Sequence, residues 1–440
     1  MGNNGRVSWL NAVSFVGCLA LGALAWLAGG CRRPLPWRTV LGSSVLLVVL
    51  GFIVFRVEGT RLLLWWLNGV VLAVLDRGNA GAEFLFGPLA LDPGKTTASG
   101  DASVGFVLAA QVLPAVIFFA SLMAVGYHLR LIQPLIRVFG RLFRRTLALS
   151  GAEALSGSAN VFFGVEAATT IRPFIDRMTR SELLTVLTCG MSTVASTTLA
   201  IYVLFLKESF PQIAGHLISA SFLSIPAAAM ISKLLLPETA APETLGRLPP
   251  VDGSDRQENA MAALAAGAWA GLKLSAGIAT LLIAVLGVVG VLDLALEKLS
   301  SPFASSLGGP IDLGRLLGWI FTPVAWLLGI EAADLPEAGR LLGQRMVLTE
   351  VVAYQQLGAL AGAASVSPRT LLILSYSLCG FTHLASVGIF VGGIAALAPA
   401  RRNDLAALGP PALVGATLAT LMTGALAGLF FHGQRGVLGL

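Results

Sequence analysis

Charged side chains fall in short clusters along this chain, separated by long apolar runs. A helix needs roughly 20 apolar residues to cross a bilayer. Uncharged stretches of that order fall at residues 7–31, 39–55, 102–127, 183–206, 209–232, 274–292, 370–400 and 405–431, which predicts eight spanning helices. Leu62–Leu75 is apolar but too short to cross, and its Trp65–Trp66 pair suits an interfacial helix. The first run, Val7 to Cys31, follows an arginine and ends in Gly-Gly-Cys, faintly like a lipoprotein cleavage site. It is longer than a signal-peptide core, so a retained first span is expected over a cleaved signal.

Two further segments, 146–172 and 338–367, are apolar but broken by Gly, Ser and Ala clusters, and each holds one glutamate, Glu166 and Glu350. This pattern predicts two half-helices that enter and leave on the same side, a re-entrant hairpin. Such backbone survives in a membrane only where protein or a water-filled cavity surrounds it. Each candidate hairpin precedes a long span with a matching interruption, CGMSTVAS (189–196) and CGFTHLAS (379–386), and each such span precedes a plain one. Small and polar residues at the centre of a membrane helix serve close helix packing or an unwound site between repeats. Two matching clusters, each preceded by an acid, favour the site.

Composition sharpens the class. Of 440 residues, 56% are hydrophobic and 12% charged, against about 25% charged in an average soluble domain. This excludes a disulfide scaffold, a disordered regulator and an ordinary cytosolic enzyme, and leaves an all-α polytopic membrane protein. Lys and Arg number 29 against 23 Asp and Glu, a net of +6. Arg32, Arg33 and Arg38, then Arg130, Arg137, Arg141, Arg144 and Arg145, then Arg401 and Arg402 share one face if the N-terminus is outside, which makes that face cytoplasmic. The four cysteines and four histidines are scattered, without CxxC or zinc-ligand spacing. No basic stripe suits a nucleic acid, and no HExxH, GxSxG or Cys/His cluster suits an enzyme.

The expected organisation is then two N-terminal spans in 1–60, an interfacial helix in 61–80 and a third span in 81–140. A first repeat follows in 141–236, and a polar cytoplasmic linker with four prolines in 237–259. A scaffold span in 260–300, an extracytoplasmic or interfacial connection in 301–337 and a second repeat in 338–432 complete the chain.

Within the repeats, Glu166 and Glu350 lead the candidates, because a buried acid is costly and usually functional. An ionised carboxylate accepts two hydroxyl hydrogen bonds, which suits a sugar or polyol; the structural alternative is a salt bridge to Arg172 or Arg345. Asn160, the Phe163 carbonyl and Thr193 offer neutral oxygens of the kind hard cations take, though a buried Asn also serves as an interhelical hydrogen bond.

These residues lie in motifs that resemble the concentrative nucleoside transporter family from about Gly81 to Asp404. The motifs are GAEFLFG (81–87), VLPAVIFF (112–119), GAEALSGSANVFFG (151–164), IRPFIDRMTRSEL (171–183), SIPAAAMISKLLLPET (224–239), GLKL (271–274) and LTEVVAYQQL (348–357). CGFTHLASVGIFVGG and APARRND follow within 379–404. The resemblance implies eight transmembrane helices, two oppositely oriented re-entrant hairpins in an inverted repeat, one interfacial helix and a homotrimer. It also implies nucleoside uptake coupled to sodium, or to protons in some members. By the family pattern sodium would be held by Asn160, the Phe163 carbonyl, Thr193 and the Val194 carbonyl, with Thr193 in place of the usual serine.

The substrate motifs depart from that pattern. Where the family's first hairpin reads Gly-Gln-Thr-Glu or Gly-Gln-Ser-Glu, this chain has Gly164-Val165-Glu166, one residue shorter and without the amide and hydroxyl that address the nucleobase. The second hairpin has Thr349-Glu350-Val351 for Asn-Glu-Phe, and the second broken helix Phe381-Thr382-His383 for Phe-Ala-Asn, with Ser386 retained. The resemblance therefore places Glu350, His383 and Ser386 at the sugar, and Gly164, Val165, Glu166, Thr198 and Phe381 at the other end. His383 either pairs with Glu350 as a cation or packs as a neutral ring. The expected function is cation symport of a nucleoside or a related ribose-bearing solute across a bacterial-type inner membrane. A non-nucleoside solute carried on the same fold is the alternative.

Overall fold

The apolar runs fold as helix, the form that satisfies backbone N–H and C=O groups within their own segment. The computed structural model describes residues 9–33, 35–91, 95, 96, 100–249, 258–303 and 309–433. Among them the structure is helical, with one isolated bridge between Thr96 and Ala102. The N-terminal part comprises α1 (Trp9–Ala28), α2 (Trp37–Arg56), α3 (Glu58–Phe86) and α4 (Leu113–His128). Amphipathic α5 (Gln133–Leu147) follows, burying Ile136, Phe143 and Leu147 and directing its arginines outward.

The first repeat is built from α6 (Gly151–Asn160), a 3-10 turn at Val165–Ile171, the split pair α7 (Arg180–Ser192) and α8 (Ser196–Leu206), and α9 (Ile213–Leu235). After α10 (Ala260–Ser300) and α11 (Leu313–Leu327), the second repeats the scheme. Its elements are α12 (Leu335–Val347) and α13 (Glu350–Gly362), the split pair α14 (Pro368–Ser377) and α15 (Leu384–Leu397), and α16 (Arg402–Phe430). In the segment expected at 338–367 the helices α12 and α13 flank a turn, beginning at Leu335; in that expected at 146–172, α6 is followed by the 3-10 turn.

Seven helices are long and apolar enough to cross a membrane, among the described residues. Six match expected spans; the spans expected at 183–206 and 370–400, each with an interruption, are the two split pairs, whose halves are each too short to cross alone. The seventh is α3, which is longer than the sequence pattern suggests. The segment read as Leu62–Leu75, within 61–80, belongs to α3, which is 29 residues long. Asp76, Arg77 and Asn79 interrupt the apolar run, but none is a helix breaker, so the helix continues through them. The span expected at 274–292 is likewise longer, because α10 runs for 41 residues. Residues 250–257 of the linker and Val7 and Ser8 of the first run lie outside the described residues.

Buried polar residues tie the helices together. Lys233 of α9 reaches Glu153 of α6 at 2.6 Å and donates to Ser181 of α7 at 2.9 Å. Glu153 also closes a capping box with Ser150, and Glu182 closes one with Thr179, so both helices start beside the same ammonium. Arg369 of α14 donates to Asn11 and Ser14 of α1 and to the Gly329 carbonyl, fixing the first helix to the second repeat. At the centre, α9 and α16 are buried along most of their length.

Candidate functional site

Both repeats carry their interruption where the matching octapeptides lie. In the first, Thr193 to Ala195 are extended between α7 and α8, with ψ of 163° at Thr193 and 143° at Ala195. In the second, the chain leaves helix between Ser377 and Leu384, with Gly380 at φ +149°. The two breaks meet. A Cβ on Gly380 would lie 3.0 Å from the Ser192 carbonyl oxygen and 2.7 Å from Thr420 Cγ2. Glycine alone accepts both that dihedral angle and that approach.

The tip of the first hairpin docks on the first break. Ser196, the first residue of α8, donates its hydroxyl to the Phe162 carbonyl at 2.8 Å. Asn160 is buried and donates its amide to the Ser156 carbonyl at 2.9 Å, which leaves Oδ1 as an acceptor beside Gly190. Thr193, also buried, donates to the Cys189 carbonyl at 3.0 Å and keeps its oxygen lone pairs. Asn160 and Thr193 thus border the same Cys189–Gly190 turn. Val194 donates its N–H to Ser221 Oγ at 3.4 Å, leaving its carbonyl available, and Phe163 continues the turn with its N–H on the Ala159 carbonyl. These groups present neutral oxygens, the donor set a hard monovalent cation takes. No cluster of His, Cys, Asp and Glu suits a transition metal among the described residues.

Glu350 opens α13, directly after the turn of the second hairpin, where the helix N-terminus favours negative charge. Its Oε1 accepts Tyr202 Oη at 3.0 Å, and its Oε2 lies 3.1 Å from His383 Nε2, with side chains 3% and 4% exposed for Glu350 and His383. His383 is the N-cap residue of α15, and Ser386 donates to its carbonyl at 2.6 Å. The expected alternative pairings do not form. Neither glutamate pairs with Arg172 or Arg345 among the described residues, and Arg345 donates instead to the Ser377 carbonyl and to Thr420 Oγ1.

The residues read as the other end of the site are more dispersed. Glu166 is exposed and folds over Gly164. Val165 seats against Gly393 of α15, so the shortened hairpin turns its apolar side chain onto the second broken helix. Thr198 is buried with its hydroxyl on the Ala195 carbonyl, and half-buried Phe381 lies 6.2 Å from the ring of Phe390.

Sequence reasoning missed Tyr202 and Tyr354. Their rings stack with centroids 4.2 Å apart and planes within 10°, and Tyr354 Oη donates to the Ser375 carbonyl at 2.5 Å. A signal existed: a tyrosine inside an apolar span must find a partner for its hydroxyl, and this chain has only four tyrosines to check.

Residues 216–428 match the family described as Na+ dependent nucleoside transporter C-terminus, residues 16–89 its N-terminus, and residues 109–209 a nucleoside-recognition gate domain. The transporter YutK of Bacillus subtilis is 36% identical over 416 residues, covering 94% of this chain and 98% of that protein. The nucleoside permease NupC of Helicobacter pylori is 32% identical over 422 residues, covering 95% and 97%. The solved structure of CNTnw in an inward-facing substrate-bound state superposes with a TM-score of 0.84 at 34% identity, covering 96% of this chain and 98% of that one. With two split helices meeting beside a buried carboxylate, and with this similarity along nearly its whole length, the chain belongs to the concentrative nucleoside transporter family and is a membrane transporter, not an enzyme.

Proposed function

We propose that the protein is a sodium-coupled symporter that imports a nucleoside or a closely related ribose-bearing solute. The observation that carries this reading is the buried Glu350 carboxylate, held between Tyr202 and His383 where the second hairpin meets the second break. A carboxylate so placed takes hydroxyl donors, and a ribose offers two adjacent ones. Glu350, His383 and Ser386 then address the sugar; Gly164, Val165, Glu166, Thr198 and Phe381 surround the base. Sodium is taken by Asn160 Oδ1, Thr193 Oγ1 and the carbonyls of Phe163 and Val194. The membrane potential contributes about 2.3 kcal/mol per charge per 100 mV to uptake.

In the membrane the eight spans are α1, α2, α4, the α7–α8 pair, α9, α10, the α14–α15 pair and α16. The two hairpins are re-entrant and of opposite orientation. The N-terminus is outside, the membrane is a bacterial-type inner membrane and the assembly is a homotrimer. We assign α3 to the interface, because Glu58, Asp76, Arg77 and Glu83 interrupt it and Trp65 and Trp66 are exposed. The hairpins gate the central site alternately from the two sides.

A second reading, a non-nucleoside solute on the same fold, draws support from Val165, which packs on Gly393 where the family pattern has base-reading polar groups. Thermal stabilisation of the purified protein by nucleosides, free bases and polyols, each with and without sodium, separates the readings. Stabilisation by a nucleoside that requires sodium supports symport. Stabilisation by polyols alone supports the second reading.

A further inference from the structure

Tyr202 lies in α8, the half-helix that starts at the first break. At its start, Ser196 holds the tip of the first hairpin through the Phe162 carbonyl. Six residues on, about 9 Å along a helix axis, Tyr202 donates to Glu350 Oε1 at 3.0 Å. The same face packs tightly on α13. Tyr202 stacks on Tyr354, and a Cβ on Gly358 would lie only 2.5 Å from the Phe205 carbonyl oxygen. One short helix thus begins two residues after Val194, a candidate ion ligand, and carries the contact to the candidate substrate carboxylate at its seventh residue. It belongs to the first repeat, whereas the carboxylate belongs to the second.

We propose that Tyr202 is the positioning residue that couples ion occupancy at the first break to substrate binding at Glu350. The inference rests on the reading above, in which sodium binds near Asn160 and Thr193 and the sugar binds Glu350. A cation between the hairpin tip and the break fixes the start of α8. That fixes Tyr202 Oη on Oε1 and aims Oε2 at the solute. Without the cation, the extended residues 193–195 have no ligand to order them, α8 shifts against the hairpin, and the carboxylate loses one of its two orienting donors. Coupling of this kind is reciprocal, so the nucleoside tightens sodium by the same factor as sodium tightens the nucleoside.

The test measures two dissociation constants on the purified full-length protein: uridine with and without saturating sodium, and sodium with and without uridine. The parent should show a coupling factor of roughly ten. Tyr202→Phe retains the stacked ring and should lower that factor to about one or two, while the sodium affinity of the uridine-free protein stays at the parent value. Tyr354→Phe removes a neighbouring buried hydroxyl without touching Glu350 and should keep the parent's factor. Retained coupling in Tyr202→Phe overturns the inference, as does equal loss in Tyr354→Phe, which would indicate packing alone. A parent whose uridine affinity ignores sodium overturns the sodium-coupled reading itself, and this inference with it.

Discussion

His383 Nε2 lies 3.1 Å from Glu350 Oε2 across the gap between the second broken helix and the second hairpin, with both side chains buried. A family asparagine at that position would offer a fixed donor and acceptor. An imidazole reaches further than an amide and holds Oε2 from the second broken helix. His383→Asn should shift preference toward ordinary nucleosides. Isothermal titration of uridine and adenosine against parent and variant reads the effect. An unchanged ranking in the variant would make His383 structural.

Glu350→Gln keeps the size of the side chain but replaces an acceptor-only group with a mixed one. Loss of a charged hydrogen-bond acceptor generally weakens an interaction by about 1.5–3 kcal/mol, so nucleoside affinity should drop by at least ten-fold while the fold persists. Scintillation-proximity binding, with the melting temperature as the control for folding, checks this. Unchanged affinity would remove Glu350 from the site.

Asn160→Ala and Thr193→Val each delete a side-chain oxygen beside the Cys189–Gly190 turn. Each should raise the sodium concentration for half-maximal uptake several-fold, with little effect on the maximal rate when sodium saturates. Uptake into proteoliposomes under imposed sodium or pH gradients is the measurement. Transport that follows the pH gradient and ignores sodium would favour proton coupling.

Lys233→Ala leaves Glu153 buried without its cation, 2.6 Å from where the ammonium stood. Breaking a buried pair from one side costs about 3–5 kcal/mol, so the melting temperature should fall markedly. The double substitution Lys233→Met with Glu153→Gln should recover part of the loss. A single variant as stable as the parent would show that the pair contributes little to the fold.

Gly380→Ala places a methyl group against the Ser192 carbonyl and Thr420, at a left-handed dihedral angle. Strain of that kind costs of order 1–3 kcal/mol. The variant should lose both stability and transport, and a thermal-melt comparison with Gly388→Ala, a glycine with open space around it, isolates the local contact.

The class, most of the helices and both interruptions can be read along the chain. Hydropathy acts residue by residue along a segment, so the runs at 39–55 and 209–232 were legible as α2 and α9, and the two octapeptides marked both breaks. What depends on neighbours far along the chain was not. Glu166 and Glu350 occupy like positions in two like segments, yet one is exposed and the other is buried on Tyr202, 148 residues away. Whether a carboxylate is solvated or held depends on which helix packs over it. Likewise α3 looked too short because polar residues ended its apolar run, whereas helix continues until the backbone itself is broken. The meeting of Gly380 with Ser192, the Lys233–Glu153 pair and the seating of Val165 on Gly393 are all contacts between distant segments. Only close packing of the two repeats against each other brings those atoms within reach, because pairing strength falls off within a few ångströms while the sequence records only order along the chain.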